Sequence, residues 1–147
     1  MHTCEHIVNR TMVNLFGCGR SVSAHIEKKK SKLDYALDHC PTDEEVARIE
    51  QTVNEVIARH LPVKTEMISV EEAGRRFDLS RLPADAPSML RVVSVGDYDD
   101  CLCSGAHVSN TSEVGRFVIL THDYDEAARR WRMRFKLIAP SGAANSE

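Results

Sequence analysis

Apolar residues recur along the chain at two periods, and the alternation between them outlines its elements. Ile7, Val8, Met12, Val13, Leu15 and Phe16 form one wide apolar face on a helix from about His2 to Phe16, which Gly17 and Gly19 then stop. Ser21–Glu27 and Lys32–Leu37 read as strands joined across a turn at Lys28–Ser31. Thr42 followed by Glu45 is a capping-box signature, and the helix it opens has apolar positions at Val46, Ile49, Val53, Val56 and Ile57. Pro62 is expected to end that helix. Val63–Val70 reads as a strand, Glu71–Phe77 as a short helix and Asp78–Pro87 as a proline-containing loop. Arg91–Val95, Gly115–Leu120 and Arg129–Ile138 complete the strands. The last of these alternates cleanly, with Trp131, Met133, Phe135 and Leu137 on one side and Arg130, Arg132, Arg134 and Lys136 on the other. This order of elements is that of an α+β fold. The segment from Pro140 is small and polar, and is expected to fray.

Composition narrows the class. At 147 residues the chain fits one domain large enough for a real core. Aromatic residues make up only 5%, so aliphatic side chains must supply most of that core. No run approaches the roughly 18 apolar residues that span a bilayer, and no signal peptide is readable at the start. Cys4, Cys18, Cys40, Cys101 and Cys103 are odd in number and lack a disulfide-framework spacing, which fits a reducing, cytoplasmic compartment. A net charge of −3 argues against a dedicated nucleic-acid binder, though not against a local basic surface.

Candidate chemistry lies at two places far apart in sequence. His2 and His6 form an H-x-x-x-H, and Cys103 and His107 form a C-x-x-x-H. On a helix, positions i and i+4 lie on one face, so His2 and His6 can reach one point. Imidazole nitrogen and thiolate sulfur are donors that zinc prefers, and four of them complete a tetrahedron. Cys101 has no partner at the right spacing, which leaves Cys103 as the expected sulfur ligand. Four protein donors describe a closed site, whereas a hydrolytic zinc keeps one position open. A zinc that merely staples the helix to a loop is therefore an alternative.

The residues around both pairs resemble one family. HTCEHIVNRTM is similar to the HTATHLL-type helix of the alanyl-tRNA synthetase editing domain, and CSGAHVSNTSEVGRF to that family's CGGTH-V-x-x-T-G-E-I-G segment. In the second motif Cys103, Gly105, His107, Val108, Thr111, Glu113, Val114 and Gly115 fall in register. Between the two motifs, PTDEEVARIEQTVNEVIARHLPVKTEMISVEEA resembles the family's long helix, its LPV exit and its following E-E-A helix. The resemblance runs from His2 to about Leu137 and is strongest to the short AlaX proteins, freestanding relatives of the editing domain. It implies one editing-type domain over residues 1–139, and the small, polar residues 140–147 read as a disordered tail. It also implies a mixed or antiparallel sheet packed against helices.

For function, the resemblance implies a zinc site at His2, His6, Cys103 and His107. It implies hydrolysis of the ester linking serine, and secondarily glycine, to the acceptor end of alanine tRNA. Ser21 falls where short AlaX proteins carry a threonine that contacts the serine substrate. Serine at that place lacks a methyl group, so the pocket would be looser. Glu5 departs from the family, which has a small residue there, and makes a literal H-x-x-E-H, the inverzincin protease signature. That protease reading would need an acidic ligand such as Glu71 or Glu72, and it leaves CSGAH unexplained. Lys28, Lys29, Lys30 and Lys32, with the basic face of the last strand, could meet tRNA phosphates or could simply be solvated. Two further alternatives stay open. One is a threonyl-type editing domain acting on serine attached to threonine tRNA. The other is a non-catalytic zinc module that binds RNA or protein.

Overall fold

A computed structural model describes residues 2–27, 30–77, 88–102 and 107–138, and these described residues form three α-helices and seven strands in two antiparallel sheets. Helix α1 (His2–Phe16) buries Cys4, Ile7, Val8 and Met12. It ends where Gly17 takes φ 66° and donates its amide to the Val13 carbonyl at 2.9 Å, a left-handed stop that glycine adopts without strain. Strand β1 (Ser23–His25) is shorter than the alternation suggested, and β2 (Ser31–Ala36) begins at Ser31. The loop at 78–87, the tail from Pro140 and the tip of the basic hairpin at Lys28 and Lys29 lie outside the described residues.

Helix α2 (Asp43–Ala58) opens with the expected capping box. The Glu45 amide donates to the Thr42 hydroxyl at 3.2 Å, and the Thr42 amide donates to the Glu45 carboxylate at 2.8 Å. Its far end departs from expectation. The helix stops at Ala58, before Pro62, and His60 lies in the left-handed region at φ 53°. A residue distant in sequence caps it: the Thr111 hydroxyl donates to the Ile57 carbonyl at 3.0 Å and accepts from the Leu61 amide at 2.8 Å.

Strand β3 (Val63–Ser69) leads into α3 (Val70–Arg76), capped by the Ser69 hydroxyl, which accepts from the Glu72 amide. Strand β4 (Met89–Val95) turns at Gly96, φ 51°, into β5 (Asp99–Leu102), a strand not expected from the pattern. An added Cβ at Gly96 would meet the Leu61 side chain at 3.0 Å, so the turn sits directly on the end of α2. These three strands form a sheet in the order β3-β4-β5. After a 3₁₀ turn at Thr111–Glu113, strands β6 (Arg116–Asp125) and β7 (Arg130–Ile138) complete the larger sheet, ordered β1-β2-β7-β6.

Alternation in β7 places Trp131, Met133 and Phe135 fully inside, beside Leu33 and Tyr35 of β2 and Phe117 of β6. The inner face of this sheet, α1 and α2 share one core, which Val95 of the smaller sheet joins. A second small cluster of Ile68, Ala73, Leu90 and Val92 seats α3. Side chains also fasten α2 to β6: the Asn54 amide group donates to the Phe117 carbonyl and accepts from its amide, and the Glu50 carboxylate accepts from the Ile119 amide. No helix among the described residues is long and apolar enough to cross a membrane.

Candidate active site

Helix α1 has two faces with different duties. Cys4, Ile7, Val8 and Met12 are fully buried in the core, and burial pushes the Cys4 thiol up to about 12, so Cys4 behaves as an apolar residue. The HTCEH motif sets His2 and His6 one turn apart on the same helix. His107, beyond the end of β5, meets them. The His6 and His107 ring centroids are 4.9 Å apart with planes at 70°, and those of His2 and His107 are 6.3 Å apart at 56°.

Each of the three rings has its Nδ1 beside a second protein group. His6 Nδ1 donates to the Asp99 carboxylate at 3.3 Å, and His2 Nδ1 lies 3.4 Å from the Glu5 carboxylate. His107 Nδ1 lies 2.9 Å from the Thr3 hydroxyl, which also accepts from the Val108 amide at 3.3 Å. Ring nitrogens engaged in this way fix the tautomer and direct the opposite nitrogen, and metal-ligating histidines are held by such partners.

His2, His6 and His107 are of the donor type that a zinc ion held through Nε2 would need. Three imidazoles bound at about 2.0–2.1 Å in tetrahedral directions have centroids about 5 Å apart. The His6–His107 pair meets that spacing, while His2 stands wider. Among the described residues no group of three or more His, Cys, Asp or Glu is compact enough to hold a metal by itself. Cys103, the expected fourth ligand, lies outside the described residues.

Asp99 is the electrostatic centre of the region. Its side chain is fully buried and accepts from His6, from Arg10 Nε at 3.1 Å, and from Arg20 through Nη1 and Nη2, each at 3.0 Å. Burial alone would raise its carboxyl, but hydrogen bonds from His6 and Arg20, with their charges, hold it below the usual carboxylate range. Composition could not have flagged Asp99, because its partners stand 79 to 93 positions away. Thr3 lay in plain view inside HTCEH, but nothing in its spacing marked it as the partner of His107.

Ser21 lies just ahead of β1, not within a strand. Its amide donates to the Asn9 side-chain oxygen at 3.1 Å, which also accepts the hydroxyl of buried Tyr35 at 2.7 Å. Asn9 follows His6 by one helical turn, so the Ser21 backbone is tied to the same helix as the histidines. Glu5 is partly buried and turned towards His2. Glu72, a candidate for the protease reading, instead pairs with Arg76 at 3.5 Å, on a helix seated on the second cluster. Of the basic residues on β7, Arg132 forms a two-pronged pair with buried Asp34, and Arg134 pairs with Asp123. Those two guanidiniums are committed within the sheet, while Arg130 and Lys136 are exposed.

The chain is similar to known proteins over most of its length. Residues 90–142 match the family described as threonyl and alanyl tRNA synthetase second additional domain. The chain is 32% identical over 130 residues to the alanine–tRNA ligase of Fervidobacterium nodosum, covering 88% of this chain and 15% of that protein. It is 31% identical over 136 residues to that of Leptospira biflexa serovar Patoc, covering 88% of this chain and 14% of the relative. It is 29% identical over 143 residues to that of Bacillus velezensis, covering 97% and 16%. The chain thus spans about one-seventh of the length of these curated relatives. Residues 90–142 thus match the threonyl and alanyl tRNA synthetase second additional domain, and the similarity to alanine–tRNA ligases across most of the chain is consistent with an AlaX-like editing domain.

Proposed function

We propose that the protein is a zinc-dependent deacylase that hydrolyses the ester joining serine to the acceptor end of alanine tRNA. One observation carries this reading. Two imidazoles from HTCEH and a third, His107, from beyond β5 lie near one another, each with Nδ1 beside a second protein group, in a chain similar to tRNA synthetase domains. His2, His6, His107 and Cys103 are the proposed ligands. A zinc ion held there supplies Lewis acidity towards the ester carbonyl.

The chain's own residues supply orientation and selection. Asp99 and Thr3 hold His6 and His107 in the tautomer that presents Nε2. The Ser21 hydroxyl reads the hydroxyl of the substrate. Serine exceeds alanine by that one group, and an apolar synthetic pocket rejects such an analogue by only about a hundredfold. A site that hydrogen-bonds the hydroxyl reverses the preference, because alanine would leave its buried polar groups unpaired. The exposed Arg130 and Lys136 are proposed to meet tRNA phosphates, a contact that weakens with salt.

The test uses purified protein with serine charged on alanine tRNA and, separately, on threonine tRNA, before and after removal of zinc with a chelator. Faster release from alanine tRNA, lost with the metal and restored on its return, supports the reading. Faster release from threonine tRNA would reassign the substrate. Zinc binding without release from either would leave a structural zinc module.

A further inference from the structure

We propose that the Arg20–Asp99 ion pair is a strut that fixes the Ser21 segment against the metal-ligand helix, which makes Arg20 a positioning residue for substrate discrimination. The proposal rests on the functional reading above for its selectivity arm alone. Between α1 and β1 the chain runs through Gly17, Cys18 and Gly19 without regular structure, and a Cβ at either glycine would touch nothing within 4 Å. Neither glycine position is confined by packing. The position of Ser21 therefore depends on the anchors around it. Its own amide is held by Asn9, the Val22 amide donates to the Asp34 carbonyl at 2.8 Å, and the Arg20 guanidinium reaches Asp99 with two parallel bonds of 3.0 Å.

The third anchor differs in kind. Asp99 is fully buried, and the same carboxylate accepts from His6 Nδ1. One side chain thus joins the residue preceding Ser21 to a proposed metal ligand. A two-pronged guanidinium–carboxylate bond sets direction as well as distance, which a single ammonium contact does not. Arg10 touches the same carboxylate through Nε alone. Removing Arg20 leaves Asp99 paired with Arg10, so no bare charge is buried and the fold should survive. Its loss should be felt in where Ser21 sits.

The test compares Arg20→Ala and Arg20→Lys, each alone and combined with Ser21→Ala, in the full-length protein. Zinc content of Arg20→Ala should match the wild type. Hydrogen exchange at the Ser21 amide should quicken by about tenfold or more, because a local anchor has gone. The preference for serine over alanine should fall by about tenfold, and adding Ser21→Ala to Arg20→Ala should slow serine release by less than about threefold, since coupled residues do not add. Arg20→Lys should recover only part of the protection. Unchanged exchange at Ser21 in Arg20→Ala would overturn the proposal, as would effects of the two substitutions that simply multiply. If the wild type releases no serine from any tRNA, the functional reading fails, and the exchange measurement still decides whether Arg20 positions Ser21.

Discussion

Replacing Thr3 with valine separates the support of His107 from its proposed role as a ligand. Thr3 is 1% exposed, and valine has nearly the same shape, so no cavity opens. The substitution removes a hydroxyl that stands 2.9 Å from His107 Nδ1 and accepts the Val108 amide at 3.3 Å. A fully buried group left unsatisfied costs about 1–3 kcal/mol, but His107 and Val108 are only half-buried, so water can reach them and the total should be about 1–2 kcal/mol. In a 147-residue domain each kcal/mol moves Tm by about 2–4 °C, which thermal unfolding of the zinc-stripped protein would resolve. The larger effect should fall on the metal. Losing the partner that fixes a ligating histidine lowers affinity by about 10–100-fold, measured by competition with a chelating indicator. Thr3→Ser keeps the hydroxyl and should restore most of it. Wild-type zinc affinity in Thr3→Val would refute the role given to this contact.

The proposed ligand set is checked by metal analysis: His6→Ala, His107→Ala and Cys103→Ala should each lose most bound zinc, and retention in all three would remove the assignment. Ser21→Ala should keep its zinc yet release serine about 10–100-fold more slowly, from the loss of about 1–3 kcal/mol in reading the substrate hydroxyl; Glu5→Ala should slow release less, and the reverse order would move the pocket. On β7, Arg130→Ala and Lys136→Ala should weaken tRNA binding with a shallower salt dependence. Arg132→Ala should instead lower Tm, since it strips buried Asp34 of its partner. Peptide mapping after brief treatment with a thiol reagent near neutral pH should find exposed Cys40 labelled and buried Cys4, with its thiol pushed up to about 12, untouched.

What the sequence made legible was mostly what short stretches decide alone. The capping box at Thr42, the glycine stop at Gly17 and the alternation of β7 all depend on neighbours within a few residues, and each occurs as expected. The end of α2 was misplaced because its cap, Thr111, stands 50 positions from Leu61. Strand β5 went unseen because its four residues, Asp99–Leu102, include two acids, and Asp99 is held inside by His6, Arg10 and Arg20 from elsewhere in the chain. At the site, spacing singled out His2, His6 and His107, and the fold brings them together. The groups that orient them were illegible, because a hydrogen bond between Thr3 and His107 leaves no periodic trace across 104 positions.

The central claim is that this domain removes serine from alanine tRNA at a metal held by those histidines. The most direct measurement charges the same alanine tRNA with serine or with alanine and follows release of each by the zinc-loaded protein, with His6→Ala as the control. Rapid loss of serine, persistence of alanine and inactivity of the His6→Ala protein are the expected results. Equal loss of both amino acids, or serine release undiminished in His6→Ala, would contradict the claim.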